Sequence, residues 1–255
     1  MLLGIVFAQQ INKSAKLDKE ATKKNIKAFT KIADANARLE KCQSDLLNQL
    51  QINAKRKNGL ITYHLSMFQE QYSIIRKIQF GRGKGIEKLD VIQNQIRQYV
   101  ELPAVTSGMI MKKSQYAISF ALMGIGGVMI KESKMNLKTA SKNKAMASAV
   151  TAQIDSICIA LEGITQHTMI ITELLEKLGM LYMKSIKNIS IILKNNGLDS
   201  ENYSEDDINA LNVSLSLTKL IYRIINTPLL DENGNIEKES IKVIQQGRDM
   251  LKQIQ

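Results

Sequence analysis

SQYAISFALMGIGGVMI, residues 114–130, carries no charged residue and lies between two long, strongly charged segments. A helix that crosses a hydrocarbon core of about 30 Å takes about 20 apolar residues; these seventeen would reach only about 25 Å. Gly124, Gly126 and Gly127 fall in the middle, where they weaken a straight helix and permit a tight turn or close helix contact. A re-entrant or buried hairpin therefore fits better than a single span. The preceding LPAVTSGMIM, residues 102–111, is also uncharged, and the intervening pair Lys112 and Lys113 suits lipid headgroups. The plainer reading of the same residues is the buried middle of a helical bundle, because apolar runs of about 10 to 14 residues are more often core than membrane.

On either side, the pattern is helical. Ile26, Phe29, Ile32, Leu39, Cys42, Leu46 and Leu50 recur at steps of three, four or their sums. The rhythm resumes after Asn58-Gly59 with Leu60, Ile61, Leu65, Phe68, Tyr72, Ile75 and Ile78, which predicts one long helix over residues 12–80 with a kink or turn at Gly59. The glycines 81, 83 and 85 lie among basic residues but lack the spacing and preceding strand of a phosphate loop, so they read as a connector. A short helix opens the segment 86–130, ending before Pro103. A second long helix is expected over 131–195, on the stripe Met146, Val150, Ile154, Ile157, Leu161, Ile164, Leu174, Leu178, Leu181, Ile186, Ile189 and Leu193. Asn195-Asn196-Gly197 is a stop signal, and Ser204 followed by Glu205, Asp206 and Asp207 is a start signal for the helices of 204–255.

Neither long stripe can be buried alone. The expected fold is therefore all-α: a single elongated bundle of two long antiparallel helices plus shorter C-terminal helices. The absence of Trp and the presence of only two Pro agree with long uninterrupted helices.

The formal charge of +11 is uneven. Residues 1–144 hold 25 Lys and Arg against 10 Asp and Glu, while residues 145–255 hold 10 against 14. This asymmetry points the first half toward an anionic surface or an acidic partner. Lys131, Lys134, Lys138, Lys142 and Lys144 follow the apolar centre directly. With Lys112, Lys113, Leu122, Met123, Ile125 and Val128 they form the expected membrane or partner contact.

Catalytic chemistry is not written in the chain. His64 and His167 each stand alone on a helical stripe and read as structural or surface residues. The turn at Asp231, Asn233 and Asn235 places its Gly at the fourth position, not the sixth that a calcium loop needs. No cofactor or metal is expected, nor enzyme activity. Cys42 and Cys158 read as reduced cytosolic thiols rather than a disulfide framework, with a single bridge between them left open. MLLGIVFAQQ, residues 1–10, has an apolar core without a basic lead or cleavage site, and reads as a lead-in that packs on the bundle.

FQEQYSIIRKIQF (68–80), LLEKLGMLYMKSIKNI (174–189) and TPLLDENGNI (227–236) resemble a broad group of uncharacterised bacterial proteins in which long helices flank a glycine-zipper-like apolar centre. The plan is also similar to α-helical pore-forming toxins of the cytolysin A type. These resemblances imply a bacterial, membrane-perturbing architecture and bring no enzymatic activity. The functional expectation is a cytoplasmic, non-enzymatic helical protein, peripheral to or inserted in a membrane with an anionic surface. Its alternative is a soluble coiled-coil scaffold, a homo-oligomer or the partner of another helical protein. Nucleic acid ranks below both, because no base-reading motif accompanies the charge.

Overall fold

The computed structural model describes residues 2–78, 138–231 and 234–254, with side chains in the two long helices described from residues 19 and 144 onward. Every element named among them is helical: α1 (Leu2–Gly59), a π-helical turn (Leu60–Leu65), α2 (Ser66–Ile75), α3 (Lys138–Asn196), α4 (Glu205–Asn226) and α5 (Lys238–Ile254). A short 3-10 turn, Ser200–Asn202, stands between α3 and α4. The all-α expectation holds. The segment 86–130 with its apolar centre lies outside the described residues.

The predicted boundaries follow local chemistry. Gly197 takes φ 67°, and its N–H reaches the Leu193 carbonyl at 3.0 Å, so the residue without a Cβ closes α3 where a left-handed cap is needed. Ser204 caps α4: its hydroxyl accepts from the Asp207 N–H at 3.2 Å, and the Asp207 carboxylate accepts from the Ser204 N–H at 3.0 Å. The Ser204 hydroxyl, which donates to the Asp207 carboxylate at 2.7 Å, and then the Ser204 N–H, with help from Asn196, hold the Asp207 carboxyl below its ordinary range. At α4's other end Thr227 donates through both its N–H and its hydroxyl to the Arg223 carbonyl, at 3.0 and 2.8 Å. Asp231 closes the following turn by accepting from the Asn235 N–H at 2.9 Å, with Gly234 at φ 82°.

The chain divides into two compact units, Met1–Asn48 with Met123–Thr165 and Gln49–Leu122 with Gln166–Gln255. In the first, α1 meets α3 through small residues. Ala21, Ala28 and Ala35 are buried at seven-residue spacing, as are Ala147, Ile154 and Leu161 on α3. A strict seven-residue repeat keeps one seam of a helix facing its partner, and alanine in that seam lets two backbones approach closely. Met146, Ile26 and Phe29 were expected on the buried stripes but are 54, 60 and 61% exposed. The reading failed there because it weighted apolar residues by size, whereas the close contact selects for smallness.

The second unit carries the larger core, centred on Phe68, Leu175, Leu178, Tyr182, Leu215 and Ile221. Leu60 and Ile61 are both buried although adjacent, which the extra residue of the π turn permits. Arg223 on α4 bridges Glu239 and Gln246 on α5.

The contacts do not bear out the antiparallel pairing of the two long helices. In the first unit Arg38 pairs with Asp155 at 2.7 Å and Cys42 with Glu162 at 3.7 Å. In the second, Asn53 pairs with Thr172 at 2.9 Å, Arg56 with Glu176 at 2.9 Å, and His64 stacks on Tyr182. Partners rise together along both helices, so in each unit α1 runs parallel to α3. An antiparallel hairpin is forced only by a short connection, and residues 60–137 lie between α1 and α3. In the second unit α5 is also parallel to α3 through His167 with Ser240 and Leu174 against Gly247. There α4 runs antiparallel to α3, through Tyr182 with Thr218 and Asn196 with Asp207.

Replacing Ala35, which is 0% exposed, by Leu should push the helices of the first unit apart and lower unfolding stability by about 1 to 3 kcal/mol. Phe29→Ala, at an exposed site, should stay within about 0.5 kcal/mol. Chemical denaturation of both variants checks the assignment, and the reverse ranking would contradict it.

Candidate functional site

On α1, Gln49, Asn53 and Lys57 recur every four residues and bring polar groups into the second unit. Asn53 is buried and donates to Thr172 Oγ1 at 2.9 Å; Gln49 reaches the same oxygen at 3.4 Å. The Thr172 hydroxyl in turn donates to the Thr168 carbonyl at 2.8 Å. One hydroxyl thus serves two donors from α1 and one acceptor from its own helix.

Lys57 is the costliest member of this seam. It is 3% exposed, and its Nζ donates to the Ile225 carbonyl at 2.9 Å. That carbonyl is among the last four of α4, which have no partner within their own helix and carry the negative end of its dipole. Lys57 therefore acts as a side-chain cap on α4, beside Asn226, which donates to the Tyr222 carbonyl at 2.9 Å. Burial outweighs the capping and lowers the Lys57 pKa to about 8 from 10.5, a difference worth about 3 kcal/mol.

Above the seam, the π turn presents His64 to Tyr182, with ring centroids 6.3 Å apart, and Phe68 closes on the same tyrosine at 5.8 Å. Gly179 faces the turn. A Cβ there would come within 2.9 Å of Leu60 Cδ2, so the close approach excludes a side chain unless Leu60 moves. The Tyr182 ring is fully buried, which pushes its hydroxyl well above the ordinary phenol range. Thr218 Oγ1 lies 2.8 Å from both the Tyr182 hydroxyl and the Ser214 carbonyl. The arrangement that satisfies both has Tyr182 donating to Thr218 and Thr218 donating to the carbonyl. Ser214 Oγ is buried with no partner among the described residues.

His167 and Ser240 form the one histidine–hydroxyl contact described, at 2.7 Å. It does not serve as a nucleophile and base. Ser240 Oγ also lies 2.6 Å from the Glu237 carbonyl, so both contacts are met when Ser240 donates to that carbonyl and Nε2–H donates to Ser240. The imidazole then has its proton on the wrong nitrogen to act as a base toward Ser240, and Ser240 is 0% exposed. Burial lowers the pKa of His167, and burial chiefly lowers that of His64. His167 is buried and His64 half-buried among packed side chains. Among the described residues no group of three or more His, Cys, Asp and Glu side chains is placed to hold a metal.

The expected contact residues Lys112, Lys113, Leu122, Met123, Ile125, Val128, Lys131 and Lys134 lie outside the described residues. Lys138 is the first residue of α3, without a described side chain, and Lys144 is exposed. From Lys144 to Asn196, α3 is long and apolar enough to cross a membrane by length and composition, and 22% of its qualifying 18-residue window is buried. Ile159 on this helix is 69% exposed. The buried Lys57 and Asn53 were missed because a polar residue among apolar ones reads as the solvent face. Their spacing of four was the available signal.

The chain matches no family model, no curated protein and no solved structure.

The sign of the Lys57 effect follows from its depressed folded value. The unfolded chain holds the proton more tightly, so the burial cost is full below about pH 8, shrinks as pH rises toward 10.5, and is absent above that. Lys57→Met removes the charge but leaves the Ile225 carbonyl without its donor. The stability of this variant relative to the natural chain should therefore fall by about 2 kcal/mol between pH 7 and pH 10. A difference that does not change with pH would contradict a buried ammonium. Ser214→Ala should be neutral or stabilising by about 1 kcal/mol, since it deletes an unpaired hydroxyl; a loss above about 1 kcal/mol would show that the hydroxyl has a partner.

Proposed function

We propose that the protein is a non-enzymatic, cytoplasmic helical protein that docks on an anionic membrane surface, with the apolar centre as the inserting element. The observation that supports this reading is the low burial of an apolar stretch on α3: 22% of an 18-residue window long and apolar enough to span a bilayer is covered by protein. A helix of that composition inside a soluble core would be mostly covered. Exposed Ile159 and Met146 leave apolar area open beside the basic segment that ends at Lys144. Lysines near an anionic surface contribute about 1 kcal/mol each, so the group from Lys112 to Lys144 would supply the attraction and residues 122–128 the insertion.

The seven-residue spacing of the alanines on α1 favours a second reading, a soluble coiled-coil scaffold in which the same apolar surface meets another helical chain or a second copy.

Vesicle co-sedimentation separates the two. The membrane reading expects binding to anionic vesicles that weakens with added salt, and little binding to neutral ones. The paired substitution Leu122→Asp and Ile125→Asp should abolish sedimentation and leave thermal melting unchanged, as a charge near a bilayer centre costs about 3 kcal/mol. Collapse of melting in that variant, or equal binding to neutral and anionic vesicles, would overturn the membrane reading.

A further inference from the structure

The first unit brings together two thiols that are remote in sequence. Cys42 continues the series Ala21, Ala28, Ala35 on α1, and Cys158 lies between Ile154 and Leu161 on the buried side of α3. Cys158 is buried with Ala35 and Ile154, and half-buried Cys42 packs against the same cluster. The Cys42 thiol also reaches Glu162 Oε1 at 3.7 Å, one turn beyond Cys158. Burial, then the adjacent Cys158 thiol, then the Glu162 carboxylate push the Cys42 thiol up to about 11. Both sulfurs are free. A disulfide requires Cα atoms within about 7 Å, a separation that helices in contact through alanine reach and helices spaced by leucine exceed more often.

We propose that Cys42 and Cys158 are a dithiol–disulfide pair that closes into one bridge within the chain by exchange with a low-molecular-weight disulfide, locking α1 to α3 inside the first unit. Cys42 is the entry point because it is the more exposed of the two. Its thiolate attacks one sulfur of the small disulfide and bonds to it, while the other sulfur leaves as a thiolate and takes up the proton that Cys42 lost. The Cys158 thiolate then attacks the Cys42 sulfur of the mixed disulfide and expels the second small thiolate, which takes up the Cys158 proton. The protein loses two electrons and two protons, and the small disulfide is reduced to two thiols. The raised Cys42 value keeps the thiolate scarce, so closure is slow without a large excess of oxidant. The pair stands independently of the membrane reading.

The test uses the full reduced chain in native buffer with excess cystamine, followed by quenching, mass measurement and peptide mapping. The expected product is a monomer that has lost two hydrogens, with the peptides around Cys42 and Cys158 linked and a higher melting midpoint than the reduced chain. Cys42→Ala, which extends the alanine series, should react at least tenfold more slowly and form no bridge. Cys158→Ala should stop at the mixed disulfide on Cys42. Stable mixed disulfides on both thiols, bridges between chains, closure seen only in denaturant, or no reaction in native buffer would each overturn the proposal.

Discussion

In each unit the structure depends on one constraint, the parallel register of α1 against α3. Two helices in contact must offer facing residues in step, and here the steps are fixed by different chemistry in the two units. In the first, alanines at seven-residue spacing set the separation, and Arg38 with Asp155 marks the register on the surface. That ion pair is about half exposed at each side chain, so it contributes at most about 1 kcal/mol, and the packing of Ala35 against Ile154 and Cys158 matters more. In the second unit the register is written in polar groups. Asn53 finds Thr172 only in this alignment, and one turn later Lys57 finds the end of α4.

A buried lysine is a poor way to gain stability. Its ammonium loses water and gains one carbonyl among the described residues, and the balance is unfavourable near neutral pH. What the arrangement does supply is discrimination between alignments. Sliding α1 by one turn would take the Lys57 ammonium from the Ile225 carbonyl, a penalty larger than that of misplacing a leucine among other leucines. The π turn that begins three residues after Lys57 has a related effect. By inserting a residue it brings both Leu60 and Ile61 inward, and Leu60 is seated against the one residue of α3 that lacks a side chain there, Gly179.

Helical class and the principal stops were legible in the sequence because they depend on local chemistry. Gly197 ends α3 as the missing Cβ requires, and Ser204 starts α4 with the capping acid three residues on. The direction of the helix pair was not legible, since an amphipathic stripe has the same spacing read from either end. The buried face of α1 was only partly legible: Leu46 lies where periodicity places it, but Ala28 and Ala35 displace Phe29 and Ile26 from the contact. Of the polar seam, Asn53 and Lys57 gave only their spacing, and their partners Thr172 and Ile225 are brought to them by tertiary packing. The apolar centre at 114–130, on which the functional reading turns, remains a proposal drawn from composition and charge.

The parallel register is tested most directly by spin-label distances in the first unit. In a chain carrying Cys42→Ala and Cys158→Ala, labels are placed through Lys31→Cys with either Ser148→Cys or Glu162→Cys, all three natural residues being exposed. Lys31 lies seven residues before Arg38 of the Arg38–Asp155 ion pair, Ser148 lies seven before Asp155 and Glu162 seven after it, so the two α3 sites are roughly 21 Å apart along the helix axis. Parallel pairing predicts that the 31–148 distance is much the shorter of the two. A shorter 31–162 distance would contradict it and restore the antiparallel arrangement.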